Sequence, residues 1–589
     1  MSYPITTTRH SLAHIMAQAV KSLYPDVKLA IGPDIENGFY YDFDFGSIKF
    51  EESALKDIEK KMKNIIKQNQ KFEHLTMPVD EAIKMLEKNG DTYKAEMARD
   101  LKASGETEIG FYRNVSQQGA ETFVDMCRGP HVEKSIEIDE NAFKVDKIAG
   151  AYWKGSEKNK MLTRIYAFAF ATREELDTHL KMMEEAKKRD HRILGKRLKI
   201  FTISELVGAG LPLMQPNGMI IRKAIEDYLW ELHGDKGYHR VWTPHIAKEC
   251  LYETSGHAAK FGDELFRVQG KDEAFIMKPM NCPHHMQIFA DNQFSYRDMP
   301  IRYFEPATVY RDEKTGQLSG LTRVRAITQD DGHLFCRVSQ IKDEVTTIVS
   351  IIKQFYTTMG MMEGYWVSLS VRGEDRSKYL GTDEAWNTAE EALEDAAKAN
   401  GLNYKRIEGE AAFYGPKLDF MFKDAIGRES QLATIQVDFN LPERFELSFV
   451  NEQGEKERPV VIHRAISGSL ERFMGIMIEH FAGTFPLWLA PAQAVVVPVS
   501  ENFLPYAIEV QEALKKAGIR SHLDDSTDGL NKKVRNAETS HINYILVIGE
   551  KEMTERSVAV RNHKTKEQTE IKLDTFVKMV REEIDEKKL

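Results

Sequence analysis

The sequence predicts a multidomain chain of mixed α+β and α/β class. It has an N-terminal α+β unit, a central unit built on an antiparallel sheet, and a C-terminal α/β unit. Three observations carry this. At 589 residues, with 42% hydrophobic and 29% charged composition, the chain is long enough for roughly three to five globular domains. Residues 301–333 read as two β-favouring stretches joined by a polar, Gly-containing tip, which predicts an antiparallel hairpin. After PLWLAPAQ, strand-like runs alternate with helical patterns, which predicts a small α/β domain with a largely parallel sheet.

In chain order, the first unit covers residues 1–171 and opens on a helical pattern, RHSLAHIMAQAVKSLY, that holds His10 and His14. A strand-and-turn region follows (IGPDIENGFYYDFDF), then charged helices over about 51–69 and 79–89. The unit closes on FVDMCRGPHV and AGAYWKGSEKNKMLTRIYAFAF. A charged linker helix is predicted over 172–198, with Thr172 as its N-cap. Its last third carries Lys187, Lys188, Arg189, Arg192, Lys196 and Arg197. These cations either complement the helix dipole or meet RNA phosphates. The second unit, 199–488, begins with a helix over about 219–233 that leads into YHRVWTPHI, which on pattern alone is an ordinary helix–strand packing pair. The third unit, 489–589, runs AVVVPVS, a helix to Lys516, SHLD, a helix near Lys532, YILVIG, SVAVRN and a terminal helix. Neither internal repeats nor low-complexity segments interrupt it.

Composition excludes several classes. Four cysteines, at 127, 250, 282 and 336, cannot form a disulfide framework in a chain this long, which points to a reducing cytoplasm. The N-terminus lacks a basic region followed by an apolar run, and no uninterrupted apolar 18-mer occurs, so neither secretion nor membrane insertion is expected. The net charge of −10 argues against indiscriminate nucleic-acid binding but leaves room for a local basic surface.

Several residue groups carry chemistry. Because side chains alternate along a strand, Arg323, Arg325, Ile327, Gln329, Asp331 and His333 are expected on one face of the second hairpin strand. A solvated strand is the bland alternative. His10 and His14 are four apart and share a helical face, and Cys127 and His131 come from a Gly-Pro turn (CRGPH). A metalloprotease motif fails there, because Ser11 stands where HExxH needs Glu. A structural zinc held by these Cys and His residues remains open. Cys282, by itself, reads as a small buried hydrophobe.

The run Tyr310-Arg311-Asp312-Glu313, the string TQDDGHLFC, KPMNCPHH upstream and HRAISGSLERFMG downstream together resemble the class II aminoacyl-tRNA synthetases, and among them the threonyl-tRNA synthetases. The resemblance runs from about Tyr3 to the C-terminal region. It implies an N-terminal editing domain of the alanyl/threonyl type, a class II antiparallel catalytic core, and an anticodon-binding domain. The expected activity is ligation of L-threonine to tRNA(Thr) through threonyl-adenylate, with ATP giving AMP and pyrophosphate, in a cytoplasmic homodimer. The helix and strand at 219–244 would be motif 1, which builds the dimer interface. Many members carry a small ubiquitin-like domain before the first unit. This sequence begins too late to hold one, so a form without it is expected.

By the same resemblance, Arg311 contacts the ATP α-phosphate and the amino-acid carboxylate. Arg323 and Arg472 take the outer phosphates, Glu313 holds the adenine amino group, and Gln431 completes the nucleotide pocket. Mg²⁺ accompanies ATP. Planar, permanently charged guanidiniums suit charge that builds on phosphate oxygens. Where the family stacks Phe on adenine, this chain has Ile327. Cys282, His333 and His463 would hold one Zn²⁺ per subunit. Their separations of 51 and 130 residues match no compact zinc signature, but three such ligands leave a fourth position for substrate. Asp331 would take the threonine hydroxyl, Gln329 and Tyr414 would flank the amino group, Gln436 would complete the amino-acid pocket, and Met280 and Ala465 would touch the methyl. His257 would be a base near the tRNA terminal 2′-hydroxyl. The editing site would comprise His10, His14, Lys94, Asp125, Cys127 and His131. Lys532, Lys533, Arg535 and Arg561 are the expected tRNA contacts.

Overall fold

The computed structural model describes residues 3–589, and the chain divides into two compact units, Met1–Glu184 and Glu185–Leu589. The first opens on helix α1, Ile5–Leu23. Leu12, Ile15, Met16 and Ala19 recur at helical spacing and are buried in one core with Phe39, Tyr41 and Phe43 of the strand Gly38–Asp44. That strand belongs to an antiparallel sheet ordered Lys28–Leu29, Gly38–Asp44, Met161–Ala169, Phe143–Tyr152. A second antiparallel sheet joins Lys71–Pro78, Glu108–Val115 and β1, Glu121–Met126. Helices Val79–Lys88 and α2, Thr92–Ala103, close over it around Leu86, Ala98, Ile109 and Phe111.

The helix after the strand Met161–Ala169 is capped as expected, by Thr172 Oγ1 accepting the Glu175 N–H at 3.2 Å. It does not run through to 198. It spans Arg173–Arg189, and Asp190 (ψ 117°) then caps a separate helix α3, His191–Arg197, by accepting the Arg192 N–H at 2.8 Å. Asp offers the backbone a side-chain acceptor that competes with helix continuation. Several cations of this stretch are already paired: Arg189 with Glu185, Arg192 with Asp190, and Arg197 with the His541 ring.

The second unit is organised on an eight-stranded sheet. Its order is His239–Arg240, β2 (Ile301–Tyr310), β3 (Ala326–Cys336), β5 (Val460–Ser469), β4 (Glu429–Asp438), Lys417–Lys423, Trp366–Val371, Tyr404–Glu408. All inner pairings are antiparallel; the two edge strands pair parallel. Leu334, Ile435 and Ile462 face a core built with Ile348, Ile351 and Phe355 of the helix Ile341–Thr358. Strand alternation then sends their neighbours His333, Gln436 and His463 to the opposite face. Two helices matter for that face: α4, Cys282–Ala290, and α5, Leu470–His480, which follows β5 directly.

The C-terminal sheet is ordered Ser521–Leu523, Ala494–Pro498, Tyr544–Ile548, Ser557–Asn562, Gln568–Lys572. The expectation of a largely parallel sheet needs correction. The first three strands are parallel, but the last two add antiparallel. The final strand, QTEIK, is polar and mostly exposed, so it gives no apolar run to read. Among the described residues, no helix is long and apolar enough to cross a membrane.

Candidate active sites

Register builds the site of the second unit. His333 lies opposite His463 and His463 opposite Gln436; one step along, Asp331 lies opposite Ala465 and Ala465 opposite Thr434. Two irregularities re-aim neighbours. Between the pairs Gln329↔Ser469 and Asp331↔Ala465, β5 carries extra residues, and the Ile466, Ser467 and Gly468 N–H groups all point at Asp330 (2.8, 3.1 and 2.9 Å). Gly468 has φ +72°, and a Cβ there would lie 2.8 Å from the Leu432 carbonyl oxygen. A bulge at Leu432 against Lys417–Lys423 lets Gln431 face the same way as Thr434 and Gln436 despite its odd parity.

The resulting cavity is about 680 Å³. Arg311, Glu313, Arg323, Ile327, Gln431 and Arg472 line it together with Met280, Gln329, Asp331, His333, Tyr414, Gln436, His463 and Ala465. Arg325 departs from the expected face. The strand begins only at Ala326, and the Arg325 guanidinium turns to the Glu313 carbonyl at 2.9 Å and to Asp312 at 3.2 Å. Arg323 and Glu313 pair with each other (2.7 Å). Arg311 meets the Met280 sulfur at 3.0 Å and lies 4.6 Å over the Phe261 ring. Among the described residues it has no carboxylate within ion-pair distance. The Tyr414 hydroxyl donates to Gln436 at 2.5 Å.

At one end of this cavity the ligand atoms of Cys282, His333 and His463 lie within 4.8 Å of one another. Cys282 is buried at the start of α4. Each imidazole has one nitrogen engaged and one left over: His463 Nε2 is 2.8 Å from Asp438, and His333 Nδ1 is 2.8 Å from His285 Nδ1. His285 Nε2 in turn bonds Glu305 at 3.0 Å, inside a buried group with Asn281, Thr243 and Lys278. Burial holds the His333 imidazole well below its ordinary pKa, hence neutral, and pushes the Cys282 thiol well above its own, with Asp331 and Asp438 adding to the rise. A soft S/N/N donor set, oriented by outer carboxylates and with a thiol that only a nearby cation would ionise, fits zinc. Burial also raises the Asp331 carboxyl, opposed by His285 and His463.

His257 is not brought to this cavity. It is 1% exposed behind Cys282, with Nδ1 2.8 Å from Ser255 Oγ and Nε2 3.8 Å from the Cys282 sulfur. Burial, then His463 and Arg311, lower its pKa to about 3. Phe261 and Phe413 enclose it, so the reach to a tRNA terminus that the resemblance implies would need that enclosure to open. Lys533 is also turned inward, 5% exposed, donating to the Asp524 carbonyl at 2.9 Å. Lys532 and Arg535 stay exposed, and Arg561 is paired with Glu538.

Sequence reasoning missed Asp330, Asp438, His285 and Glu305. Two of these left a signal. Asp438 lies two residues beyond Gln436, on the same strand face, and His285 lies one helical turn beyond Cys282.

In the first unit, α1 and the 127–131 turn meet. His10 Nε2 is 2.7 Å from Cys127 Sγ, which is 3.2 Å from His131 Nε2. Ser11 Oγ donates to Thr7 and accepts from the Val132 N–H at 3.0 Å, so it also accepts from His131 Nδ1 at 3.1 Å. That fixes the His131 tautomer and explains a serine at this position. Lys94, on α2, pairs with Asp125 on β1 at 3.0 Å, and Tyr41 donates to the same carboxylate at 2.6 Å. His10, His14, Tyr41, Lys94, Asp125 and Cys127 line a cavity of about 310 Å³. Burial lowers all three imidazoles, His14 to about 4, and raises the Cys127 thiol to about 11. A thiol held protonated is a poor nucleophile, whereas neutral imidazoles and an ammonium–carboxylate pair suit the holding and orienting of water.

Residues 266–481 match the family described as tRNA synthetase class II core domain (G, H, P, S and T). Residues 493–583 match the anticodon binding domain, and 113–166 the threonyl and alanyl tRNA synthetase second additional domain. The chain is 47% identical over 559 residues to a threonine–tRNA ligase of Gloeobacter violaceus, covering 94% of this chain and 88% of that one. It is 46% identical over 579 residues to the threonine–tRNA ligase of Clostridium tetani, covering 98% and 88%. Among solved structures it resembles the RNA binding domain of threonyl-tRNA synthetase from Cryptosporidium parvum, at 37% identity and TM-score 0.63 over 66% of this chain and 97% of that one.

Proposed function

This chain belongs to the threonyl-tRNA synthetase family, and from that premise we propose that it joins L-threonine to tRNA(Thr) through threonyl-adenylate and clears seryl-tRNA(Thr) in its first unit. One observation carries the reading. A single cavity is lined by His333 and His463 at one end, with the buried Cys282 sulfur within 4.8 Å of their ligand nitrogens, and by Arg311, Arg323 and Arg472 along the rest. A hydroxy amino acid and a nucleoside triphosphate are the two ligands that such ends would take, side by side.

In this reading Arg311, free of carboxylates, would bridge the threonine carboxylate and the α-phosphate as charge builds there. Arg323 and Arg472 would meet the outer phosphates, with Mg²⁺ accompanying ATP. For Arg323 that means leaving or sharing Glu313, which in turn frees a carboxylate oxygen for the adenine amino group. Cys282, His333 and His463 would hold Zn²⁺, which when bound supplies a Lewis-acid template for the amino and hydroxyl groups of threonine. Asp331 would accept the hydroxyl proton's hydrogen bond, Gln329, Tyr414 and Gln436 would orient the amino end, and Met280 and Ala465 would leave room for one methyl. A site that must hydrogen-bond a hydroxyl rejects valine by about 10⁴–10⁵, while serine, lacking only a methyl, is rejected by about 10- to 200-fold. The first unit's cavity answers that second, weaker discrimination: Lys94, Asp125, Cys127 and the imidazoles of His10, His14 and His131 would bind the ester and position water.

The same premise supports functional divisions of 1–171 for editing, 172–198 for the linker, 199–488 for catalysis and 489–589 for anticodon binding. It also supports a cytoplasmic homodimer, and tRNA contacts at Lys532, Arg535 and, by release from Glu538, Arg561. The test is amino-acid-dependent ATP–pyrophosphate exchange across the standard amino acids. Threonine should support fast exchange, serine slower exchange and valine almost none; equal exchange with valine would defeat the reading.

A further inference from the structure

A second cluster of titratable groups lies beside the nucleotide end of the cavity but outside its wall. Asp190, His191 and Glu479 bring their ligand atoms within 4.8 Å of one another. All three are already engaged. Arg192 bonds Asp190 at 3.0 Å, and Glu479 takes His191 on one oxygen and Arg428 on the other. His191 uses both ring nitrogens: Nδ1 is 2.6 Å from Glu479 Oε1, and the Leu321 N–H donates to Nε2 at 3.0 Å. A backbone N–H can only donate, so Nε2 is the acceptor and Nδ1 carries the proton to Glu479. The arrangement is a connector and not a metal site.

What it connects is specific. His191 is the first residue of α3. Glu479 is in the last turn of α5, the helix that carries Arg472. Leu321 belongs to the 311–325 tip, whose Thr322, Arg323 and Val324 line the cavity. Contact is close on every side. A Cβ on Gly320 (φ +49°) would lie 2.2 Å from His191 Nε2. A Cβ on Gly475, within α5, would lie 3.3 Å from Leu321 and 3.5 Å from the His191 ring. His191 is 4% exposed and Leu321 is fully buried, though neither touches the cavity.

We propose that His191 is a positioning residue for the nucleotide step: it bolts the 311–325 tip to α5, so that Arg323 and Arg472 face one triphosphate. This rests on the reading of that cavity end as an ATP site. Without the bolt, the tip must be ordered each time the nucleotide binds, and that ordering weakens apparent binding. The Cys282/His333/His463 end is held by α4 and by the pairing of β3 with β5, and Arg311, at the root of the tip, is fixed by the Pro279 carbonyl and the Met280 sulfur, so threonine binding should not feel the change.

Two substitutions separate the two bonds. His191→Gln keeps an acceptor near the Nε2 position and so keeps Leu321; His191→Asn keeps a donor near Nδ1 and so keeps only Glu479. The full-length enzyme is compared with both by ATP–pyrophosphate exchange and by amide hydrogen exchange across the 311–325 tip. His191→Asn should raise the KM for ATP about tenfold, the size of one lost buried hydrogen bond. The KM for threonine should stay within about twofold, and the Leu321 amide should exchange faster; His191→Gln should recover most of both. Unchanged tip exchange in His191→Asn would overturn the bolt, as would faster exchange with an unaltered KM for ATP, or equal rises in both KM values with no rescue by Gln. A parent that gives no threonine-dependent exchange would instead count against the synthetase reading, and hydrogen exchange at the tip would still decide whether the bolt exists.

Discussion

Ile327 sits in the cavity wall where relatives are expected to stack Phe on adenine, half-buried on β3 two residues before Gln329. Isoleucine keeps apolar contact and loses the π-face. Ile327→Phe should therefore lower the KM for ATP by roughly two- to tenfold, because stacking adds about 0.5–1.5 kcal/mol. A raised KM would mean that the pocket has closed around the smaller side chain. His14 makes a different residue-scale argument. It is 3% exposed, its Nε2 has no hydrogen-bond partner among the described residues, and the rings of Phe72, Phe123 and His131 surround it at 5.6, 5.0 and 5.0 Å. Burial brings its pKa from 6.5 down to about 4. Unfolding lets it take up a proton between those values, so its contribution is complete above about pH 6.5 and is lost as pH falls toward 4. The loss is on the order of 3 kcal/mol. Thermal unfolding followed from pH 7.5 to 4.5 should show this acid slope in the parent. In His14→Leu the uptake on unfolding should fall by about one proton; an identical slope would mean that His14 is already charged in the fold.

At the scale of elements, α4, β2 and β3 make one device. Cys282 opens α4, His285 follows one turn later, and β2 brings Glu305 behind them while β3 brings His333 in front. The chain His333–His285–Glu305 aims one ligand from a wholly buried carboxylate. Cys282→Ser should remove the thiolate and abolish both zinc retention and threonine-dependent exchange. Glu305→Gln, which touches no ligand, should weaken zinc about 10- to 100-fold in a chelator competition, the usual size of an outer-shell loss. Retention equal to the parent in Glu305→Gln would show that His285 alone orients His333. These elements also mark what the sequence made legible. Helix α1 and the β2–β3 hairpin follow from apolar spacing and a polar tip, and the ordered motifs named most cavity residues. What spacing and composition alone leave hidden, without the family motifs, depends on register. Cys282, His333 and His463 are far apart in the chain and meet only because β3 pairs with β5 in one alignment. Gln431 needs a bulge that no composition signals, Asp330 faces away from its neighbours to hold an arch of extra residues, and the helix break at Asp190 hinges on one side-chain acceptor.

At the scale of the whole molecule, binding and correction are divided between units. The second unit must admit serine, because an absent methyl is worth only about 1–3 kcal/mol. The first unit holds a separate cavity with its own imidazoles, a protonated thiol and the Lys94–Asp125 pair. The ligand atoms of His10, Cys127 and His131 also lie within 4.8 Å of one another, so a structural metal is the competing account of the same residues. The double variant His10→Ala, His14→Ala distinguishes them. His10 touches Cys127 and His14 packs on His131 within residues 1–184, while every residue assigned to activation lies within 185–589. Threonine-dependent ATP–pyrophosphate exchange should therefore stay within about twofold of the parent. Hydrolysis of preformed seryl-tRNA(Thr) should fall by about 10²-fold or more, the usual worth of a positioned acid or base. If a metal bound there were merely structural, the variant would lose one equivalent of metal per chain and melt earlier, yet parent and variant would hydrolyse seryl-tRNA(Thr) equally slowly. Equal rates would remove editing from the first unit; a selective loss, with metal content unchanged, would assign it there.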